Sequence, residues 1–305
     1  VNHRRTYAII ALTLLLSLAG TEVLAQNKTV DGAALLKVDA TARPAGMGGA
    51  FVSIAADARS PIYNPAAAVG GEGFQLSLGH TEYWEDVRLE TGVFTKSVSS
   101  QWWLHGGIRY GTVDNIEARE IASTEPTSLF DANDVSFKLG LARMVTGNVA
   151  VGVSAGWILE KIEAFSGSAF NLDLGVWARP RENLSVGASV TQLGGDLELT
   201  ASGKGVSETV TLPTIYRAGM SYVFDRYLGA ADLVIVDDEV HVHLGAEATV
   251  HAMLSLRTGY MTGYDTRSFT VGASFSKREV TVDYAFVPFG ENLGNSHLFN
   301  LTLSL

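Results

Sequence analysis

Val149-Ala150-Val151-Gly152-Val153-Ser154-Ala155-Gly156-Trp157-Ile158-Leu159 is the stretch on which the reading of this chain turns. In an extended strand, alternate residues point to opposite faces. Val149, Val151, Val153, Ala155, Trp157 and Leu159 then share one face, and Ala150, Gly152, Ser154, Gly156 and Glu160 lie mostly on the other. A soluble sandwich would give its outer face charged side chains. Here the second face is small and weakly polar, and the pattern returns along most of the chain. About ten residues per segment is what a tilted strand needs to cross a bilayer. The pattern predicts a transmembrane β-barrel.

The beginning of the sequence agrees with export. His3, Arg4 and Arg5 precede an apolar run from Tyr7 to Ala19, and Val23-Leu24-Ala25 has the small-residue form of a cleavage site. Residues 1–25 are expected to be a signal peptide, because the run is too short for a spanning helix. No later run is apolar enough to span as a helix, so strands must carry any membrane role. Cysteine is absent, which excludes disulfides, thiolate metal sites and a cysteine nucleophile. With 22 basic against 32 acidic residues the chain is acidic, which argues against a nucleic-acid partner.

Fourteen strand-like segments follow, at about 74–83, 87–97, 101–114, 134–145, 148–160, 169–179, 183–193, 214–224, 227–236, 239–250, 252–261, 267–276, 279–287 and 296–305. The gaps between them sort by parity. Gaps after even segments are short, as at Thr146-Gly147, Asp225-Arg226 and Lys277-Arg278. The long ones, Asn115 to Asn133, Gly194 to Pro213 and Pro288 to Asn295, all follow odd segments. Short periplasmic turns and longer outer loops characterise bacterial outer-membrane barrels. This topology puts both chain ends in the periplasm. All seven prolines lie outside strand interiors, where a closed ladder needs every donor. Tyr216, Tyr222, Phe224, Tyr260, Tyr284 and Phe286 near strand ends suit interfacial girdles. The last segment puts Phe299, Leu301, Leu303 and Leu305 on one face, as a closing strand would, although an aromatic final residue is the commoner ending.

Residues 26–73 do not read as strands and are expected to form a plug, with residues 74–305 as the barrel. Their small residues suit a chain threading a confined lumen, and the many glycines within strand patterns suit a wall approached closely by another backbone. Ala42-Arg43-Pro44-Ala45-Gly46-Met47-Gly48-Gly49-Ala50-Phe51-Val52 is followed by Tyr63-Asn64-Pro65-Ala66. This ordered combination resembles the PorV/PorQ family, within the wider FadL-like group of outer-membrane barrels. The resemblance implies an all-β, 14-stranded antiparallel FadL-like barrel with an N-terminal hatch in its lumen. It singles out Arg43, Met47, Gly48, Gly49, Tyr63, Asn64 and Pro65 as the hatch motif. It also implies two roles: accessory to type IX protein secretion, with a translocon and cargo proteins as partners, or passage of hydrophobic compounds such as fatty acids and aromatics. The first is the reading preferred here and the second its alternative.

Strand alternation assigns Arg88, Glu90, His105, Arg109, Lys138, Asp173, Arg217, His241, His243, Glu247, Arg257 and Asp283 to the lumen, with His251 at a strand end. An Arg or Lys facing lipid at the bilayer centre costs about 2–4 kcal/mol. Such buried charges need partners, and Asp39, Arg43, Asp57 and Arg59 of the hatch are the candidates. His241 and His243 have the spacing of a chelating pair, but Glu247 and His251 lie too far along the strand to complete a zinc site. Ser154 and Ser189 have no base at a recognisable spacing and no G-x-S-x-G elbow, so no catalytic residue is assigned. No cofactor is expected. Outer-membrane lipids are the one partner required under either role.

Overall fold

The computed structural model describes residues 33–83, 87–119, 125–201 and 207–305. The expected signal peptide, residues 1–25, and the first part of the expected hatch lie outside the described residues. Sixteen strands follow the hatch. They are β1 (Phe74–Glu82), β2 (Arg88–Ser99), β3 (Trp102–Ala118), β4 (Ser128–Thr146), β5 (Val149–Ile162), β6 (Phe165–Arg181), β7 (Leu184–Gly194) and β8 (Leu197–Ala201). The rest are β9 (Ser207–Val210), β10 (Ile215–Phe224), β11 (Tyr227–Val236), β12 (Glu239–His251), β13 (Leu254–Thr262), β14 (Phe269–Lys277), β15 (Val280–Pro288) and β16 (Asn295–Ser304).

Fourteen of these close into an antiparallel barrel. Each pairs with its sequence neighbours, β7 pairs across to β10, and β1 closes the ring on β16 with Leu78 opposite Leu301. Closure leaves no ladder edge in lipid, which is the condition for spanning a bilayer with strands. The exterior carries the apolar residues that the alternation assigned to it. Val151, Val153, Trp157 and Leu159 of β5 are exposed, with Phe137, Leu139 and Leu141 of β4 beside them. A continuous apolar exterior of this extent is compatible with lipid and not with water. The closed 14-stranded barrel with this belt is an outer-membrane architecture.

Three expectations need correction. The gap from Asn115 to Asn133 is mostly strand: β3 and β4 stay paired out to Ala118 and Ser128 as a protruding hairpin. The gap from Gly194 to Pro213 contains the β8–β9 hairpin, which docks on the outer end of β6 through Phe165 opposite Ala201. Its apolar side chains find a surface to cover there, so it folds back instead of extending into solvent. The third concerns proline: Pro180 lies within β6, at its turn end where the register shifts, and Pro288 is the last residue of β15. The N-terminal end of the chain lies outside the described residues. The last strand ends at the short-turn rim, with Leu305 bonded to Phe74. Ala33, however, packs at the opposite rim with Leu197, Leu199 and Val210. The hatch therefore runs from the outer mouth down to the periplasmic end, where it enters β1.

Cysteine labelling tests this topology in a chain that has no cysteine of its own. Asp265→Cys and Glu291→Cys should react with an impermeant thiol reagent on intact cells. Thr146→Cys should react only after the outer membrane is permeabilised, and labelling of intact cells at Thr146 would invert the barrel.

Candidate functional site

The hatch, residues 33–73 in the described chain, consists of short turns and helices joined by buried backbone. Ala42–Gly46 and Ser60–Tyr63 are single helical turns. Gly48 and Gly49 have φ of 62° and 73°, a left-handed turn that glycine adopts without steric cost. Met47, Ala50, Phe51 and Val52 are fully buried. Asn64 ties the hatch together and to the wall: its Nδ2 donates to Val52 O and Val176 O, both at 2.9 Å, and its Oδ1 accepts from Ala66 N at 3.0 Å. Pro65 begins the next turn where no backbone donor is needed. Tyr63 packs its ring 5.6 Å from that of Phe51 and donates its hydroxyl to Asp39 at 2.7 Å.

The wall meets this backbone with glycine. A Cβ at Gly259 would lie 2.0 Å from Gly48 N, one at Gly152 2.3 Å from Ala66 N, and one at Gly187 2.3 Å from Val52 O. The wall also supplies side chains to hatch donors. Asp232 accepts from Phe51 N at 2.7 Å and Val52 N at 2.8 Å, and Asn300 accepts from Ala42 N at 2.5 Å. Glu160 accepts from Ala33 N at 3.2 Å. These three anchors were not singled out from sequence. The available signal was a lone polar residue among apolar neighbours on an inward register, as with Asp232 in Ala230-Ala231-Asp232-Leu233-Val234.

Six charges form a closed ring between hatch and wall. Arg43 donates to both oxygens of Glu247 at 2.9 Å and to Asp57 at 2.7 Å. Asp57 in turn accepts two bonds from Arg59, at 2.7 and 2.8 Å. Arg59 reaches Asp283 at 2.7 Å, Asp283 accepts from Arg257 at 3.0 Å, and Arg257 returns to Glu247. Three residues come from the hatch and three from the wall, with signs alternating around the ring. Burial works against the charge of Asp57, but Arg59 and then Arg43 outweigh it and hold its carboxyl far below the usual range. Below the ring a vestibule of about 230 Å³ opens at the periplasmic end, lined by Ser255, Ser276, Thr281 and Thr302 among others.

Above the hatch the other inward residues gather. Lys138 donates to both oxygens of Asp173, at 2.6 and 2.7 Å. Arg109 is buried and donates to Leu35 O and Val38 O, at 2.7 and 2.8 Å, with no close ion pair among the described residues. Arg217 lies 5.3 Å from the Tyr63 ring centroid and makes no close ion pair among the described residues. His105 is buried beside Gly140. His241 stacks on Tyr264 with centroids 3.9 Å apart, and His243 bonds the Tyr264 hydroxyl at 2.9 Å. The two histidines thus engage an outer-loop tyrosine. His251, expected inward from the alternation, is instead exposed at the end of β12, where the register shifts.

Arg88 and Glu90 are corrected. Leu89 between them is the inward residue, 1% exposed against Leu35 and Ala40, so both charges point outward. They stand at the outer end of β2, beyond the apolar belt, where charge meets water or headgroups. Glu90 bonds His80 at 2.6 Å and Arg88 pairs with Asp114. The alternation was right in period but anchored on the wrong residue, because Leu89 was read as lipid-facing.

The cavity between the hatch and β2–β5 holds about 50 Å³, lined by Leu36, Pro61, Ile62, His105, Arg109 and Lys138 among others. Small-molecule sites usually offer some 300 Å³ or more. The hatch thus leaves little free space at this point of the lumen.

No family model matches the chain, and no curated protein sequence matches it. Solved structures do. The CymD monoaromatic hydrocarbon channel is 16% identical, with a TM-score of 0.64 over 88% of this chain and 98% of that one. The Pseudomonas putida toluene transporter TodX is 13% identical, with a TM-score of 0.61 over 90% and 97%. A Pseudomonas aeruginosa FadL homologue is 12% identical, with a TM-score of 0.58 over 87% and 98%. At these identities the likeness establishes the fold, and the fold is FadL-like.

Two tests follow from the hatch contacts. Arg59→Ala leaves Asp57 and Asp283 short of a guanidinium, which should weaken hatch seating by about 3–5 kcal/mol. Single-channel conductance in planar bilayers should rise while the barrel itself stays heat-modifiable on gels; unchanged conductance would mean the ring does not hold the hatch. The pH dependence has a definite sign. A carboxyl held low in the folded state contributes its full stability above its ordinary pKa of about 3.9 and loses it only as pH falls through the lower folded value. The closed state should therefore show no Asp57-dependent opening between pH 7 and about pH 5.

Proposed function

We propose that this protein is an outer-membrane channel for hydrophobic molecules, gated by its hatch. The observation that carries the reading is a FadL-like lumen filled by a hatch beneath an apolar outer mouth. Leu36, Ile158, Leu197, Leu199, Val210 and Leu212 line that mouth in one cluster. A hydrophobic solute leaves water there by burying apolar area, at about 25 cal/mol per Å². Near it, buried Arg109 and half-buried Arg217 make no close ion pair among the described residues, with Asp39 and Asp232 the nearest carboxylates acting on them, and a buried cation without a close counter-ion is costly. An acid head on the solute would relieve that cost, so fatty and aromatic acids fit better than neutral hydrocarbons. The resemblances in fold support transport: the proteins named above are described as hydrocarbon channels, a toluene transporter and a FadL homologue.

The order given in the sequence analysis is accordingly reversed. Accessory work in type IX secretion rested on the Ala42–Val52 and Tyr63–Ala66 motifs, and the comparisons lend it no support. Those motifs are accounted for by hatch packing, since Met47, Tyr63 and Asn64 are buried against the wall or each other. No chemical step by this chain is implied.

Uptake of radiolabelled oleate and of toluene in a strain lacking its own FadL-like transporters tests the proposal. Expression should raise uptake, and Arg217→Ala should impair oleate more than toluene. Uptake no higher than in the empty strain, with secreted proteins stranded in the periplasm on deletion in the native host, would restore the secretion reading.

A further inference from the structure

The outward charges of the barrel are not distributed alike at its two ends. At the outer end of β1 to β3 they are partnered: His80 with Glu90, and Arg88 with Asp114. At the periplasmic end of β2 to β4 they are not. Lys96 continues the outward row of Phe94, and Arg143 continues the outward row of Leu139 and Leu141. Both are exposed, and neither has a carboxylate partner among the described residues. Strand parity aims them away from the lumen, at the level where the apolar belt ends.

Between them stands Trp102. It pairs with Arg143 across β3–β4, and the guanidinium lies 5.0 Å from its ring centroid. Lys96 is opposite Leu104 across β2–β3, two residues along the same outward row. Strands are about 4.8 Å apart, so β2 and β4 are separated by about 10 Å, within reach of two long side chains turned toward each other. Apolar residues bracket the cations on both sides: Phe74 and Phe94, with rings 6.1 Å apart, on one, and Val98 and Val145 on the other. Two cations around an interfacial tryptophan, with acyl-chain surface beside them, match a headgroup carrying a phosphate and its attached chains. Tryptophan prefers this level of a bilayer, and guanidinium binds phosphate through paired donors.

We propose that Lys96, Trp102 and Arg143 form a binding site for an anionic phospholipid of the periplasmic leaflet. Phosphate is held by Lys96 and Arg143, and the acyl chains lie along Phe74, Phe94 and Leu141. A soluble anion would meet the charges but not the apolar flank. The site is on the outside of the wall and is independent of what passes through the lumen.

Native mass spectrometry of the full-length protein in mild detergent tests it, with phosphatidylglycerol and phosphatidylcholine as probes. The protein should form a saturable one-to-one adduct with phosphatidylglycerol and none comparable with phosphatidylcholine. Lys96→Ala/Arg143→Ala should weaken it about tenfold or more, at about 1 kcal/mol per basic residue near a charged lipid surface. The charge-keeping Lys96→Arg/Arg143→Lys protein should retain it, which separates lost charge from a damaged barrel. Lys277→Ala removes an outward cation at the end of β14, far from β2 to β4, and should leave the adduct unchanged. Equal adducts with both lipids, equal loss in Lys277→Ala, or binding of free glycerol phosphate as tightly as of the lipid would each overturn the assignment.

Discussion

The ring of Arg43, Asp57, Arg59, Asp283, Arg257 and Glu247 fixes how the hatch sits in the barrel. Each member alone would be a charge withdrawn from water, at a cost of several kcal/mol. Closed on itself, the ring leaves every guanidinium between two carboxylates and every carboxylate between two guanidiniums. Replacing it with apolar residues would not by itself weaken the fold, because buried ion pairs roughly break even against good packing. Its effect is on register. Only one seating of the hatch brings Arg43, Asp57 and Arg59 to Glu247, Arg257 and Asp283 at once. That seating sets which backbone atoms meet Gly152, Gly187 and Gly259 higher in the wall.

The two kinds of contact do different work. Wall glycines allow the hatch backbone to lie directly on the sheet, which fills the lumen with little side-chain volume. Asp232, Asn300 and Asn64 then satisfy hatch groups that no ladder reaches, as buried backbone requires. A side chain added to the wall or an ion pair removed from the ring acts on the hatch and spares the barrel, whose ladders are complete without it. This separation is what a gate needs: a scaffold that persists while the occluding part has a discrete set of contacts to break. The apolar cluster at the outer end and the polar periplasmic vestibule lie on opposite sides of the hatch.

Much of this was legible in the sequence. The number of barrel strands, the parity of the turns and the presence of a small-residue segment before the barrel all follow from local patterns. Glu247, Arg257 and Asp283 were readable as inward because each interrupts an apolar outward register. Their grouping with Arg43, Asp57 and Arg59 was not, since it depends on the path of the hatch through the lumen. Arg88 and Glu90 were misplaced because alternation has no fixed origin at a strand end, where both faces turn polar. The outer position of Ala33 was hidden for a similar reason: topology rules constrain strands, and the hatch is bound by none of them. The β8–β9 hairpin is short and looks like loop until Leu197, Leu199 and Val210 are seen to cover the mouth.

The central claim is that a hydrophobic molecule passes only when the hatch moves. A disulfide between Ser53→Cys of the hatch and Ser221→Cys of β10, where the Ser221 hydroxyl reaches Ser53 O at 3.5 Å, would hold the hatch in place in a chain free of other cysteines. Uptake of a labelled hydrophobic acid should fall to background when the pair is oxidised and return on reduction. Undiminished uptake through the oxidised, fully cross-linked protein would contradict the account.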